Sequence, residues 1–160
     1  VRGYRNVSVL DVASTALDVA RERLGANANR ARWLCGDVTA MALDPQYYDV
    51  WHDRAVFHFL TDPKDRAAYV RQVARAVKPG GHVIVATFGP EGPAKCSGLD
   101  VVRYGPDALH DEFGAGFQLM KHVTELHQTP AGAIQQFVYC YCLAQPANGS
   151  ARHVNSDALS

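Results

Sequence analysis

The sequence predicts an α/β protein with a Rossmann-like, doubly wound, mostly parallel sheet that ends in an antiparallel β-hairpin. Short runs rich in β-branched residues alternate with segments of helical periodicity over residues 7–88. The run His82–Phe88 is almost entirely apolar, which is typical of a parallel strand buried on both faces. Near the end, two long apolar segments flank Thr129-Pro130-Ala131-Gly132, a turn sequence that predicts the hairpin.

The first elements follow from short patterns. β-branched residues that stop at a carboxylate predict a strand over Val7–Val12. A helix should follow, because apolar residues recur at helical spacing at Leu17, Ala20 and Leu24. Its cap is predicted at Ser14 or Thr15 and its end at Gly25, and further strands are predicted at Ala31–Cys35 and Tyr47–Trp51.

Later elements have clearer boundaries. Thr61-Asp62-Pro63 predicts a helix start, and Lys78-Pro79-Gly80-Gly81 predicts its stop before the strand that begins at His82. The buried stripe of this helix is expected at Val70, Val73 and Val77. A short helix over Pro106–Phe113 and hairpin strands over Phe117–His127 and Ala133–Leu143 complete one domain over residues 1–144, and residues 145–160 are expected to be a disordered tail.

Composition excludes several classes of protein. The 160 residues hold 16 Lys+Arg and 16 Asp+Glu, so the chain lacks the basic excess of a protein that neutralises phosphates, and no nucleic-acid partner is expected. No apolar stretch approaches the ~18–20 residues that span a bilayer. Four scattered cysteines fit neither a zinc site nor a disulfide framework, so we expect reduced thiols, no metal and a cytoplasmic location.

Two aspartates follow predicted strands. Asp11, followed by Val12, and Asp37, followed by Val38, come one strand–helix unit apart. In a nucleotide-binding sheet, a carboxylate at a strand's carboxyl end can accept both ribose hydroxyls, and a second one can meet an exocyclic amine. The alternative is that each aspartate is a turn or helix-capping residue.

The segment Trp51–Leu60 is the other candidate cluster. Asp53 can pair with an ammonium group, unless the adjacent Arg54 neutralises it in a local ion pair. His58 is a candidate general base because its ordinary pKa lies near neutrality. The alternative for His58, which lies between Phe57 and Phe59, is a packed and hydrogen-bonded histidine.

Two further features are explained without a catalytic role for their cysteines. The Gly/Pro-rich segment Phe88–Leu99 is a long loop of the kind that often covers a substrate, and its Cys96 lacks a base that would make it a nucleophile. Cys140 and Cys142 alternate with tyrosines along a strand, so both thiols share one face, and core packing explains them.

The ordered set of motifs from Val7 to Leu143 resembles the class I S-adenosylmethionine-dependent methyltransferases. The matching elements include Val9-Leu10-Asp11-Val12, Gly36-Asp37, Ala55-Val56-Phe57-His58 and the Val77–Gly81 turn. The resemblance implies that S-adenosylmethionine is the cofactor, with its ribose at Asp11 and its adenine amine at Asp37. It also implies that His52 and Asp53 lie by the methionine part. The methyl acceptor would be an N, O or S atom, expected on a small molecule, with a protein side chain as an alternative.

The chain departs from this family at its start. The family's first strand and its glycine-rich cofactor loop would precede Val7, where the chain has six residues. We therefore expect an N-terminally truncated fold and weak or no cofactor binding by the isolated chain. Two alternatives stay open: a degenerate binding module of the same fold, and a nicotinamide-dependent oxidoreductase that uses Asp11 on its ribose.

Overall fold

A computed structural model of the chain describes residues 6–146, and these form two compact units that meet in sequence between Leu43 and Asp44. The predicted tail lies, from residue 147 onward, outside the described residues. The prediction of one domain over residues 1–144 stays a prediction. The strands are β1 Val7–Asp11, β2 Ala31–Cys35, β3 Tyr48–Arg54, β4 Val77–Phe88, β5 Lys95–Cys96, β6 Leu99–Asp100, β7 Phe117–Gln128 and β8 Ile134–Ala144; the α-helices are α1 Ser14–Leu24, α2 Pro63–Ala76 and α3 Pro106–Phe113.

The first unit contains a parallel pair of strands, β1 and β2, whose register runs from Val7 opposite Ala31 to Asp11 opposite Cys35. The connection between them is α1 followed by a 3₁₀ helix, which gives the expected β-α-β order. The predicted cap of α1 at Ser14 or Thr15 was wrong. The cap residue is Ala13, and no side chain caps the helix. The Ala13 N–H donates to Asp11 Oδ1 at 2.8 Å, so the Asp11 carboxylate closes the turn before the helix.

The second unit contains a four-stranded sheet with the order β3-β4-β8-β7. The β3–β4 pairing is parallel, whereas β4–β8 and β8–β7 are antiparallel. The sheet therefore ends in the predicted hairpin but is mixed rather than mostly parallel. A further, two-stranded sheet of β5 and β6 begins within the predicted loop Phe88–Leu99 and ends one residue beyond it.

The start of β4 differs from the expected helix stop. α2 begins as predicted, with Asp62 accepting the Lys64 N–H at 2.8 Å and Pro63 in its first turn, but it ends at Ala76. The strand then includes the predicted turn, with Gly80 at φ +77°. A Cβ on Gly81 would lie 2.6 Å from Val77 Cγ1, so this irregular strand entry requires a glycine there.

The core of the second unit lies on one face of its sheet. Phe113 of α3 meets Val83, Val85, Cys140 and Cys142 there, so the two cysteines share one buried face as predicted. The predicted stripe of α2 needs correction, because Val77 belongs to β4 and Val70 is only half-buried. The buried residues of α2 are Tyr69, Gln72, Val73 and Ala76.

The opposite face is covered at one end by the segment that follows β4. Ala86, Phe88 and Phe137 form a small cluster, against which Cys96 and Val101 pack. All four cysteines are free thiols. Among residues 6–146, no helix is long and apolar enough to cross a membrane.

Candidate functional site

Asp11 ends β1, beside the point where β2 ends. Its carbonyl oxygen accepts the Gly36 N–H at 3.0 Å, which ties the two strand ends together. Its Oδ1 accepts the Ala13 N–H, and Oδ2 accepts no hydrogen bond from any described residue. The side chain is half-buried, and Val12 beyond it is 74% exposed. Asp11 thus keeps acceptor capacity beyond its own turn.

Asp37 lies in the turn that follows β2, and its side chain is exposed. Its Oδ1 accepts the Thr39 hydroxyl at 2.7 Å and the Thr39 backbone N–H at 2.8 Å. These bonds, the hydroxyl first, hold the pKa of the Asp37 carboxyl below its usual value. Asp37 is therefore an ionised acceptor, and the half-buried Val38 follows it.

The first unit thus brings Asp11 and Asp37 to neighbouring ends of two parallel strands, as predicted. In such sheets, ligands bind outside the carboxyl ends of the strands. Two carboxylates with unused oxygen lone pairs suit a ligand rich in hydroxyl and amine donors. These two acceptors fit the ribose hydroxyls and the adenine amine of the expected cofactor, which are hydrogen-bond donors.

Asp53, in the second unit, has quite different surroundings, with only 6% of the residue exposed. Its carboxylate accepts the backbone N–H of Val56 at 3.0 Å and that of Phe57 at 3.1 Å. It also accepts the Tyr69 hydroxyl at 2.6 Å, and that hydroxyl accepts the Trp51 indole N–H at 2.9 Å. Burial raises the pKa of Asp53, and the hydrogen bond from Tyr69 is the largest opposing effect.

This network holds a tight turn after β3. Ala55 has φ +66°, a left-handed conformation that is unusual for a residue with a Cβ. Its N–H donates to the Ala86 carbonyl at 2.9 Å, while Asp53 binds the next two amides. The carboxylate of Asp53 therefore supports the backbone of its own chain, and its predicted contact with a cofactor stays a prediction.

Residues on either side of Asp53 point to the other face of β3, since side chains alternate along a strand. His52 is exposed there, so His52 and Asp53 do not present their side chains to the same side. Arg54 donates from Nε to the Tyr139 hydroxyl at 3.1 Å and lies over the Phe137 ring, with Cζ 4.4 Å from its centroid. The suggested ion pair between Arg54 and Asp53 is not formed, because alternation separates the two side chains.

His58 is fully buried and packed. Its ring centroid lies 4.6 Å from that of Phe59 and 4.7 Å from that of Phe88. Nδ1 accepts the Phe88 N–H at 3.3 Å, so Nε2 holds the proton of the neutral ring, and Nε2 has no hydrogen-bond partner among the described residues. Burial lowers the pKa of His58 to about 4. This geometry matches the packed-histidine alternative, and a role as general base stays a prediction.

Tyr69 was not predicted to belong to the strand-end cluster, and Trp51, the first residue of the predicted segment, was given no role there. Tyr69 lies on the buried stripe of α2, where an aromatic residue is ordinarily a core residue. The available signal was its spacing of four residues from Val73, which indicates a buried position. Nothing in that spacing identifies Asp53 as the partner of its hydroxyl.

Comparison with known proteins identifies the family. The family profile described as "Methyltransferase domain" matches residues 1–81 of the 160. The chain therefore belongs to the methyltransferase domain family and is an S-adenosylmethionine-dependent methyltransferase. This answers the choice between a methyltransferase and a nicotinamide-dependent oxidoreductase in favour of the first. No curated protein matches the chain.

Solved structures show the same fold at low sequence identity. An S-adenosylmethionine-dependent methyltransferase from Methanosarcina mazei has a TM-score of 0.71 and 14% identity, with coverage of 88% of this chain and 82% of that one. The N-methyltransferase NodS from Bradyrhizobium japonicum has a TM-score of 0.69 and 15% identity, with coverage of 88% and 74%. The 1,6-didemethyltoxoflavin-N1-methyltransferase from Burkholderia thailandensis, solved with bound 1,6-didemethyltoxoflavin and S-adenosylhomocysteine, has a TM-score of 0.68 and 16% identity, with coverage of 91% and 63%.

Proposed function

We propose that this chain transfers the methyl group of S-adenosylmethionine to an N, O or S atom of a small molecule, and that Asp11 and Asp37 bind the cofactor. The observation that supports it is the pair of carboxylates at neighbouring ends of β1 and β2. Asp11 would accept the ribose hydroxyls, and Asp37 would accept the adenine amine. Val12 and Val38, the residues that follow them, would contact the nucleoside beside these acceptors.

The chemistry required of the protein is modest. Bound S-adenosylmethionine supplies a methyl group activated by its positive sulfur. Methyl transfer is an in-line displacement, so holding the acceptor atom in the right place can provide most of the rate. A strong base is not obligatory, which agrees with the buried, neutral state of His58.

The acceptor class rests on two considerations. NodS and the toxoflavin enzyme are N-methyltransferases by name, and the second was solved with a small-molecule substrate. The net charge of zero gives no reason to expect a nucleic-acid substrate. An amine-bearing small molecule is therefore the first acceptor to test.

Backbone amide NMR with S-adenosylhomocysteine tests the cofactor site and detects even weak binding. The amides of Ala13 and Thr39 are the reporters, because they donate to Asp11 and Asp37. We expect both to shift on titration, and Asp11→Asn to weaken binding by roughly tenfold or more. Glu22→Gln, a charge change on the exposed side of α1, should leave binding unchanged.

Two outcomes would contradict the proposal. The absence of any shift at saturating S-adenosylhomocysteine would remove the cofactor site from this chain and favour the degenerate binding module. Binding that is equally strong in Asp11→Asn would move the site elsewhere. Release of labelled methyl product from a panel of small amines then separates catalysis from binding alone.

A further inference from the structure

Strand β7 is an edge of the four-stranded sheet, because the order β3-β4-β8-β7 gives it one neighbour. It is 12 residues long, and three of its apolar side chains are well exposed: Met120 at 48%, Val123 at 42% and Leu126 at 67%. A long edge strand with exposed apolar residues is a template for pairing with another strand. The edge therefore needs either protection or a partner.

The charged residues of β7 indicate what kind of partner fits. Lys121, Val123 and Glu125 lie opposite Tyr141, Tyr139 and Phe137 of β8, and alternation places the three on one face of the sheet. Lys121 and Glu125 are both exposed and form no ion pair with any residue in the described part of the chain. They cannot pair with each other, since four residues along a strand span about 13 Å.

We propose that the free edge of β7 binds a second copy of this chain, with the two β7 strands antiparallel and Val123 on the twofold axis. Lys121 then faces the partner's Glu125, and Glu125 faces the partner's Lys121. The same axis brings the exposed Leu126 towards the partner's exposed Met120, the residue at which β7 shifts register against β8. One strand is thus complementary to itself in both charge and apolar surface.

Symmetry restricts the register. Residues directly opposite in an antiparallel pair point to the same face, so the twofold axis must pass through a residue and not between two residues. An axis at Lys121 or at Glu125 would oppose like charges. An axis at His122 or at Thr124 would place Val123 opposite one of the two charged residues. Of the five positions from 121 to 125, only an axis at Val123 pairs opposite charges on both sides.

Charge reversal tests the pairing. The measurement is sedimentation of the full chain over a wide concentration range, at low and high ionic strength. We expect a reversible dimer that weakens with salt, because the paired charges are exposed. Lys121→Glu and Glu125→Lys should each weaken the dimer by at least about tenfold, since each replaces two attractive pairs by two repulsive ones.

The double variant decides whether the two charges pair across the axis. Lys121→Glu with Glu125→Lys restores opposite charges across the axis, so it should recover the wild-type dimerisation constant. Arg71→Glu, the same change in charge at an exposed position of α2, is the matched control and should dimerise like the wild type. A wild-type chain that stays monomeric overturns the proposal, and so does a double variant no better than the single ones.

Cross-linking tests the register directly. In a Cys35→Ser background, which removes the exposed thiol, Val123→Cys should form a disulfide-linked dimer with oxidised glutathione, because residue 123 faces its own counterpart. Thr124→Cys, also at an exposed position, should not cross-link, since its counterpart lies diagonally displaced. Equal cross-linking of both variants, or a linked dimer of Thr124→Cys alone, overturns the register.

Discussion

Aspartates at the ends of parallel strands have opposite surroundings in the two units. In the first unit, the carboxylates of Asp11 and Asp37 accept hydrogen bonds only from the residue two positions further along the chain, and each keeps an oxygen with no partner among the described residues. In the second unit, Asp53 accepts two backbone amides and the Tyr69 hydroxyl. The number of donors within the chain decides whether such a carboxylate is available to a ligand.

The pKa shifts of these groups follow the same contrast. The exposed Asp37 has its pKa lowered by hydrogen bonds from Thr39, so its ionised form is stabilised. The buried Asp53 has its pKa raised by loss of solvent, although three donors oppose that effect. A ligand would have to displace those donors before it could bind Asp53. The contrast predicts that Asp53 contributes mainly to stability and that Asp11 and Asp37 contribute mainly to binding.

Replacement of Asp53 should have the largest effect on stability. Asp53→Ala leaves two backbone amides and the Tyr69 hydroxyl without their acceptor, which should cost about 3–5 kcal/mol of unfolding free energy. Asp11→Ala should cost about 1 kcal/mol or less, the effect of losing one exposed hydrogen bond, that from the Ala13 N–H. Urea denaturation followed by circular dichroism measures both. Equal losses of unfolding free energy in the two variants would contradict the proposed difference between Asp53 and Asp11. If the alanine variant does not fold, Asp53→Asn provides a milder change.

Removal of the Tyr69 hydroxyl should have a smaller effect on stability than replacement of Asp53. Tyr69→Phe deprives Asp53 of one donor and the Trp51 indole of its acceptor, so we expect a loss of about 2 kcal/mol and a change in tryptophan fluorescence. Tyr47→Phe is the control, because that ring is 50% exposed. Unchanged fluorescence and stability in Tyr69→Phe would mean that the buried network does not support the turn after β3.

His58 should make stability depend on pH. Its pKa is lowered from 6.5 to about 4 by burial, so the unfolded chain binds a proton at a higher pH than the folded one. The contribution is complete above pH 6.5 and is lost as the pH falls from there towards about 4, with an upper limit of about 3 kcal/mol.

Comparison with a non-titrating variant isolates that contribution. Asp53 acts with the opposite sign, because its raised pKa favours proton binding by the folded chain. In His58→Asn, the amide oxygen can still accept the Phe88 N–H, but the side chain does not titrate. The difference in unfolding free energy between wild type and His58→Asn should shrink as the pH falls through this window. A constant difference would contradict the burial of a neutral ring.

The smallest effect on stability is expected at Asp37. Asp37→Asn keeps an acceptor for the Thr39 N–H and changes an exposed side chain, so the unfolding free energy should change by no more than about 0.5 kcal/mol. Its binding of S-adenosylhomocysteine should nevertheless weaken, as measured by the NMR titration. A variant that binds like the wild type would show that Asp37 does not bind the adenine. Asp11 would then be the only one of the two aspartates that differs from Asp53 by contributing to binding.

Much of the fold could be predicted because its signals are local. β2 and α3 have the predicted limits, β7 ends one residue later than predicted, and β8 both begins and ends one residue later than predicted. The entry to β4 could not be predicted, because proline and glycines that ordinarily end a helix are here part of a bulged strand. Pairing with β3 decides that outcome, and pairing is not encoded within the segment itself.

The features of the candidate site likewise fall into those that local sequence predicts and those that long-range contacts decide. By itself, the sequence determined the order of strands and helices and the placement of aspartates at strand ends, since both depend on periodicity and neighbouring residues. Only the tertiary structure decided that Asp53 is occupied within the chain, because its closest donor, Tyr69, comes 16 residues later on another element. It likewise decided that His58 is buried and neutral, because the ring packs against Phe88, 30 residues further along. Burial and long-range hydrogen bonds set the chemistry of an ionisable side chain, and neither is a property of the local sequence.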